Sequence, residues 1–166
     1  MKPTIHIRDQ VIPTDAACVR DIVTSTGFFT QAEIDIAVEL VEARLAHGLA
    51  SGYEFVFVEL SGEVVGYACY GPTPCTDRSY DFYWLAVRQV HRGRGLGGLL
   101  LKETEQRIRT AGARVIFLDT ASRPQYAPTR AFYDRHGYTQ AAVVRAFYAA
   151  DDDKVIYTKK LVPGPG

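Results

Sequence analysis

Apolar and polar positions change period several times along this chain, and each change marks an element. Ile5 to Arg8 alternates and predicts a first strand. Pro13 closes that region, and Thr14 or Asp15 can cap a helix running to about Ser25. Gly27-Phe28-Phe29 is a break, after which Thr30 can cap a second helix. Its face is Ile34, Ala37, Val38, Val41 and Leu45, and Gly48 ends it. Residues 53–60 and 63–70 alternate around Ser61-Gly62, which predicts a hairpin. Gly71-Pro72-Thr73-Pro74 then stops the strand, and a loop runs to about Ser79. Residues 80–87 are a strand rich in large side chains. A helical pattern follows from Leu96 through Leu99, Leu100 and Ile108, ending near Gly112. Residues 114–119 read as a strand, and Pro128 suits the first turn of a helix that ends at Gly137. Residues 141–149 and 154–160 form a last hairpin around Asp151-Asp152-Asp153. This order predicts one α+β domain over residues 1–162, with residues 163–166 a frayed tail. Its sheet would be mixed and largely antiparallel, of about six or seven strands, with about four helices on both faces.

Between the strand ending at Val87 and the helix beginning at Leu96 lies RQVHRGRG, dense in Arg and Gly. Strand, glycine-rich loop and helix in that order build an anion site. Glycines let backbone N–H groups turn toward one point and let a ligand approach. The helix start adds unpaired N–H groups and the positive end of its dipole. Arg88, Arg92 and Arg94 add charge. No Lys-Ser or Lys-Thr follows, which excludes a P-loop. Gly93, Gly95 and Gly98 satisfy G-x-G-x-x-G, and Asp119 falls about 20 residues later, so a nicotinamide-dependent oxidoreductase is a rival reading. Against it, residues 88–92 separate the strand from the glycines, and too little chain follows Asp119 for a doubly wound sheet.

Arg92-Gly93-Arg94-Gly95-Leu96-Gly97 reads R-x-x-G-x-G, and Thr129-Arg130-Ala131-Phe132-Tyr133-Asp134-Arg135-His136-Gly137-Tyr138 follows downstream. Together, in this order and spacing, they resemble the two signatures of the GNAT superfamily of acetyl-CoA-dependent N-acetyltransferases. The resemblance covers about residues 5–160, and its specific part is residues 80–138. It implies a GNAT-like fold and acetyl-CoA as cosubstrate. The diphosphate would rest on Arg92, Gly93, Arg94, Gly95, Leu96, Gly97 and Gly98, with further cofactor contacts from Tyr126 and Thr129. Leu85, Ala86 and Val87 would line the pantetheine arm, with the Val87 N–H on the acetyl oxygen. Many members carry Asn seven residues before the helix tyrosine, where this chain has Tyr126.

By the same resemblance Tyr133 is the general acid at sulfur. A phenol of pKa about 10 and a thiol of about 8.5 are both protonated in neutral water, so a positioned phenol still carries its proton there and can protonate the thiolate as it forms. Counting back by twos from Val87, Leu85, Tyr83 and Asp81 share a strand face. Asp81 could take the amine proton, directly or through water, and Tyr83 could line the acceptor pocket; a solvated strand-end carboxylate is an equal reading of Asp81. Phe28 and Phe29 read as core anchors, with Phe29 also a candidate on the acceptor side. Asp119 and Thr120 are weaker cofactor candidates. Arg123 and Arg130 could reach a CoA phosphate, and Asp151, Asp152 and Asp153 read as a solvated turn.

Composition narrows the partners. The 166 residues carry 19 basic and 19 acidic side chains, which gives no electrostatic reason to expect nucleic acid or an anionic membrane. No apolar run is long enough to span a bilayer, and MKPTIHIRDQ lacks a signal-peptide core. Cys18, Cys69 and Cys75 lack metal spacing and cannot all pair, so a reducing cytoplasm and no metal are expected. The acceptor would be a small-molecule or peptide amine, and the family allows a homodimer. A non-catalytic acyl-CoA-binding or sensing module is the other class that fits.

Overall fold

The structure is a computed structural model that describes residues 2–161; the expected tail at 163–166 lies outside them. The elements are β1 (Ile5–Arg8), α1 (Asp15–Ser25), α2 (Gln31–His47), β2 (Glu54–Leu60), β3 (Glu63–Pro72), β4 (Ser79–Val87), α3 (Leu96–Thr110), β5 (Val115–Ala121), α4 (Ala127–Arg135), β6 (Thr139–Ala149) and β7 (Asp152–Lys160). The strands form a seven-stranded sheet in the order β1-β2-β3-β4-β5-β7-β6. β1/β2, β2/β3, β5/β7 and β6/β7 pair antiparallel, and β4/β5 pair parallel. This is the mixed, largely antiparallel α+β fold expected, and not the doubly wound parallel sheet that a dinucleotide-binding reading needs.

By contacts the chain divides into two compact units. The first holds the chain up to Gly71 and Trp84–Arg107. The second holds Pro72–Tyr83 and the chain from Ile108 onward.

In the first unit β3 has eight consecutive buried positions, so both of its faces are covered. Tyr67 and Cys69 face a cluster with Phe55 and Phe57 of β2, Val19, Ile22 and Val23 of α1, and Ile34, Ala37 and Val41 of α2. The rings of Phe55, Phe57 and Tyr67 stack at 5.8–6.3 Å. Gly66 points the opposite way, where a Cβ would meet Val58 Cγ1, the Ala86 carbonyl and Leu100 Cδ1 at 3.0–3.1 Å. Alternation along β3 therefore places α1 and α2 on one face and α3 on the other.

Two capping expectations part company here. Thr30 caps α2 through a capping box, its hydroxyl accepting from the Glu33 N–H while the Glu33 carboxylate accepts from the Thr30 N–H. Thr14 sits at helical angles and makes no side-chain cap. Asp15 instead reaches back from the first turn to accept the Ile12 N–H at 2.8 Å, and takes both Nη atoms of Arg8 at 2.8 Å, fully buried. Leu45, expected on the buried face of α2, is 39% exposed. Strand β3 also runs through Gly71 to Pro72, where the Gly-Pro pair was expected to stop it.

In the second unit Ile116 and Leu118 of β5, Val155 and Tyr157 of β7, and Tyr133 of α4 are buried. The Lys159 ammonium donates to the His136 carbonyl at 2.8 Å, tying the end of α4 to β7.

Candidate active site

The glycine loop lies in the first unit, and local chemistry gives it its shape. Strand β3 carries one residue more than β2 between Gly66 and Val64, which are partners of Val58 and Glu59. The carbonyl of the extra residue, Val65, accepts the Arg88 N–H at 2.7 Å and fixes where β4 ends. A 3₁₀ turn follows at Gln89–His91. Ser25 Oγ accepts the Gln89 N–H at 3.1 Å while donating to the Ile22 carbonyl, so the end of α1 anchors the loop. Gly93 and Gly95 then adopt φ +75° and +79°, the left-handed region that a side chain resists. The first α-type bond of α3 runs from the Leu99 N–H to the Gly95 carbonyl at 3.1 Å.

The backbone N–H groups of residues 93–98 find no protein acceptor among the described residues. Three of them belong to the first turn of α3, whose donors have no intrahelical partner. That first turn contains no acidic residue. Arg92 and Arg94 are exposed; the Arg92 guanidinium stands 5.5 Å above the Phe28 ring and donates to Gln89 at 3.3 Å. Main-chain donors, a helix start and two exposed cations suit a diphosphate. Leu96 is buried, and Gly97 and Gly98 are half-buried. Leu85 and Val87 are half-buried and Ala86 is buried. Phe29 packs on the core and meets Trp84 edge-on at 4.9 Å, which makes it the anchor expected.

The other candidates lie in the second unit. Tyr133 is the buried residue of α4, 8% exposed. Its ring meets Phe132 at 5.4 Å, Tyr138 at 5.6 Å and Tyr157 at 6.1 Å. Gly137, at φ +85°, turns the chain so that Tyr138 comes back beside Tyr133. Burial pushes the Tyr133 phenol above its ordinary pKa, so it stays protonated far above neutrality. Its hydroxyl has no hydrogen-bond partner among the described residues, and aromatic packing alone aims it. Asp81 is half-buried on β4, and the Tyr83 hydroxyl donates to it at 3.4 Å, so the two do share a strand face. Tyr126 and Thr129 are half-buried, the first in a 3₁₀ turn and the second in the first turn of α4.

Several side chains considered for ligands serve the fold. Arg130 donates to the carbonyls of Ala121 and Arg123 at 2.7 and 3.1 Å, so it closes the end of β5. Arg123 pairs with Asp151 and Asp152 at 3.3 Å each. Asp152 is 6% exposed and accepts the Ser122 N–H, and Asp153 accepts the Ala146 N–H and an Arg145 Nη. Asp152 and Asp153 therefore turn inward, while the Asp151 side chain stays solvated as expected, 83% exposed. Asp119 is paired with Lys154 at 3.2 Å. Sequence reasoning missed Ser25 and Phe28 as supports of the loop; Ser25 lies 64 positions from its partner, and no linear signal joins them. Among the described residues no group of three His, Cys, Asp or Glu is placed to hold a metal ion, and no helix is long and apolar enough to cross a membrane.

No curated protein matches the chain by sequence. A GNAT-family protein from Desulfovibrio desulfuricans is 48% identical, covering 96% of this chain and 100% of its own, with TM-score 0.94. The ribosomal-protein-S18-alanine N-acetyltransferase of Escherichia coli shares the fold at 18% identity, covering 98% of this chain and 97% of its own, with TM-score 0.78. A Salmonella typhimurium protein solved with its cofactor acetyl-CoA does so at 22% identity, covering 98% and 97%, with TM-score 0.75. The model of the Acetyltransferase (GNAT) family matches residues 23–138, which take in the glycine loop and the Tyr133 helix. With that match spanning most of the chain and a relative this similar along its whole length, the protein belongs to the GNAT acetyltransferase family.

Proposed function

We propose that this chain moves the acetyl group of acetyl-CoA to a primary amine by direct attack in a ternary complex. The observation that carries the reading is the run of unpartnered amides at residues 93–98, opened by two left-handed glycines at a helix start. Bound there, acetyl-CoA supplies an activated carbonyl. Arg92, Gly93, Arg94, Gly95, Leu96, Gly97 and Gly98 hold its diphosphate, Leu85, Ala86 and Val87 line its arm, and Tyr126 and Thr129 add contacts.

The amine nitrogen forms the new C–N bond, the C–S bond breaks, and the sulfur leaves as thiolate. Tyr133 gives that sulfur its proton, which burial keeps on the phenol until the thiolate forms. Asp81 takes the proton from the amine, directly or through a water, and Tyr83 and Phe29 shape the acceptor side. The backbone N–H of Val87 polarises the acetyl oxygen, an oxyanion contact that costs no reorganisation. No cysteine is placed for a covalent acetyl intermediate by either motif.

A panel of amino acids, peptides and small amines, read by thiol release, tests the reading. Release of CoA that depends on an amine is expected. CoA binding without release against any amine would replace it with a binding or sensing module.

A further inference from the structure

One face of the sheet in the second unit carries a cavity that acetyl transfer, as proposed, does not use. Its volume is about 550 Å³, and Ser79 of β4, Val115 and Phe117 of β5, and Thr158 and Lys160 of β7 line it. The strand register explains why these residues meet. Ser79 pairs with Val115, Val115 with Lys160, and Phe117 with Thr158, and paired residues point to the same face. Ile116, Leu118 and Tyr157 alternate with them, point the other way and are buried. Asp81 pairs with Phe117. The carboxylate proposed as base therefore stands on the cavity's own face, one strand from its floor.

One end of the cavity is basic. Arg114 lines it there, its Nε donating to the Asp77 carbonyl at 2.7 Å and standing 3.3 Å from the Asp77 carboxylate. Arg78 shares that carboxylate at 3.2 Å, so two cations divide one anion. Lys160 is exposed and has no acidic partner among the described residues. The loop that supplies Asp77 is held under strain. Cys75 and Arg78, neither of them glycine, take φ of +62° and +60°, and the Arg78 carbonyl accepts the Arg114 N–H at 2.9 Å. Such angles persist only where the surroundings enforce them. Val115 and Phe117, both half-buried, make the floor apolar.

We infer that this cavity takes the anionic end of the acceptor, and that the acceptor is a short peptide with a free terminal carboxylate. The amine end rests on the acetyl-transfer reading, with Asp81 as its proton acceptor. Distance sets the length. Lys160 lies two strands across and two residues along from Asp81. At about 4.8 Å per strand and about 3.4 Å per residue, the two Cα atoms are about 12 Å apart. An extended tripeptide separates its amine from its carboxylate by about 10 Å, which the Lys160 side chain can close. The amine and carboxylate of an α-amino acid hang on one carbon and cannot reach both ends. Charge sets the direction, because Asp81 attracts the ammonium end and repels the carboxylate, while Arg114 and Lys160 do the reverse. The floor at Phe117 suits an apolar side chain between the two.

Calorimetry on the full chain tests this with the peptide Ala-Phe-Ala, the same peptide as its C-terminal amide, and free alanine. The free acid is expected to bind about five- to tenfold tighter than the amide, and alanine far more weakly than either. In Lys160→Met the difference between acid and amide should fall below about twofold, and in Lys160→Arg it should persist. Both variants should fold as wild type does, since Lys160 is exposed. Acid and amide binding equally to wild type overturns the inference, as does a preference that survives Lys160→Met, or alanine binding as tightly as the peptide. Binding is read without turnover. A Lys160-dependent preference for the acid, with no thiol release from any amine, would therefore support the anion cavity and count against acetyl transfer alone.

Discussion

The glycine loop and the ring cluster around Tyr133 are built in opposite ways. At residues 93–98 the donors without a protein acceptor among the described residues belong to the main chain, and Arg94 adds an exposed charge beside them. At Tyr133 the group we propose to act is a side chain, and the main chain brings Tyr138 and Tyr157 against it. The loop is shaped by backbone angle and remains open to solvent. The phenol is shaped by packing and is withdrawn from solvent. On the proposed reading binding rests on main-chain angles and proton transfer on side-chain packing, so the two should fail separately.

The strongest test of that separation is Tyr133→Phe. The ring still packs on Tyr138 and Tyr157, so CoA affinity is expected to stay within about twofold while turnover falls about 10²–10⁴-fold. Parallel calorimetry and thiol-release kinetics check it. The converse variants are Gly93→Ala and Gly95→Ala. A Cβ meets nothing within 4 Å at either site, so any effect comes from the left-handed angle. Relaxing that angle, at about 1–2 kcal/mol, turns the N–H groups away and should weaken CoA binding about ten- to thirtyfold. Turnover at saturating CoA should stay near wild type. Asp81→Asn comes next, with about a tenfold loss in turnover near neutrality. That loss should shrink as pH rises toward the amine's own pKa of about 10, where the acceptor needs no base.

The smallest effect compares two buried phenols. Tyr67 is also raised above the ordinary tyrosine range by burial, and its hydroxyl has no hydrogen-bond partner among the described residues. Its folded pKa lies above the unfolded value of about 10, so its contribution is intact below that pH and is lost as pH rises, because the unfolded chain ionises first. Tyr67→Phe should flatten the decline of stability above pH 10 by up to about 1.4 kcal/mol per pH unit, read from urea midpoints. It should leave turnover unchanged, in contrast to Tyr133→Phe.

Most of the element order was legible because period, caps and breakers agree. Thr30 and Glu33 stand at capping-box spacing, and Gly48 and Gly137 fall where helices end. The glycine loop was legible for the same reason, since positive φ demands Gly and so leaves a mark in the sequence. Partners distant in the chain left no such mark. Nothing in the linear order says that Ser25 holds Gln89, that Arg130 closes β5, or that Asp152 and Asp153 turn inward to Ser122 and Ala146. Strand β6 shows the other limit. Its apolar pattern reads like a core strand, and only its place at the sheet edge reveals that this chain does not cover it.

A structure determined with CoA bound tests the central claim most directly. The account predicts diphosphate oxygens within about 3.2 Å of the main-chain nitrogens of residues 93–98 and the CoA sulfur within hydrogen-bond reach of the Tyr133 hydroxyl. A diphosphate seated elsewhere, or a sulfur beyond the reach of that phenol, would contradict it.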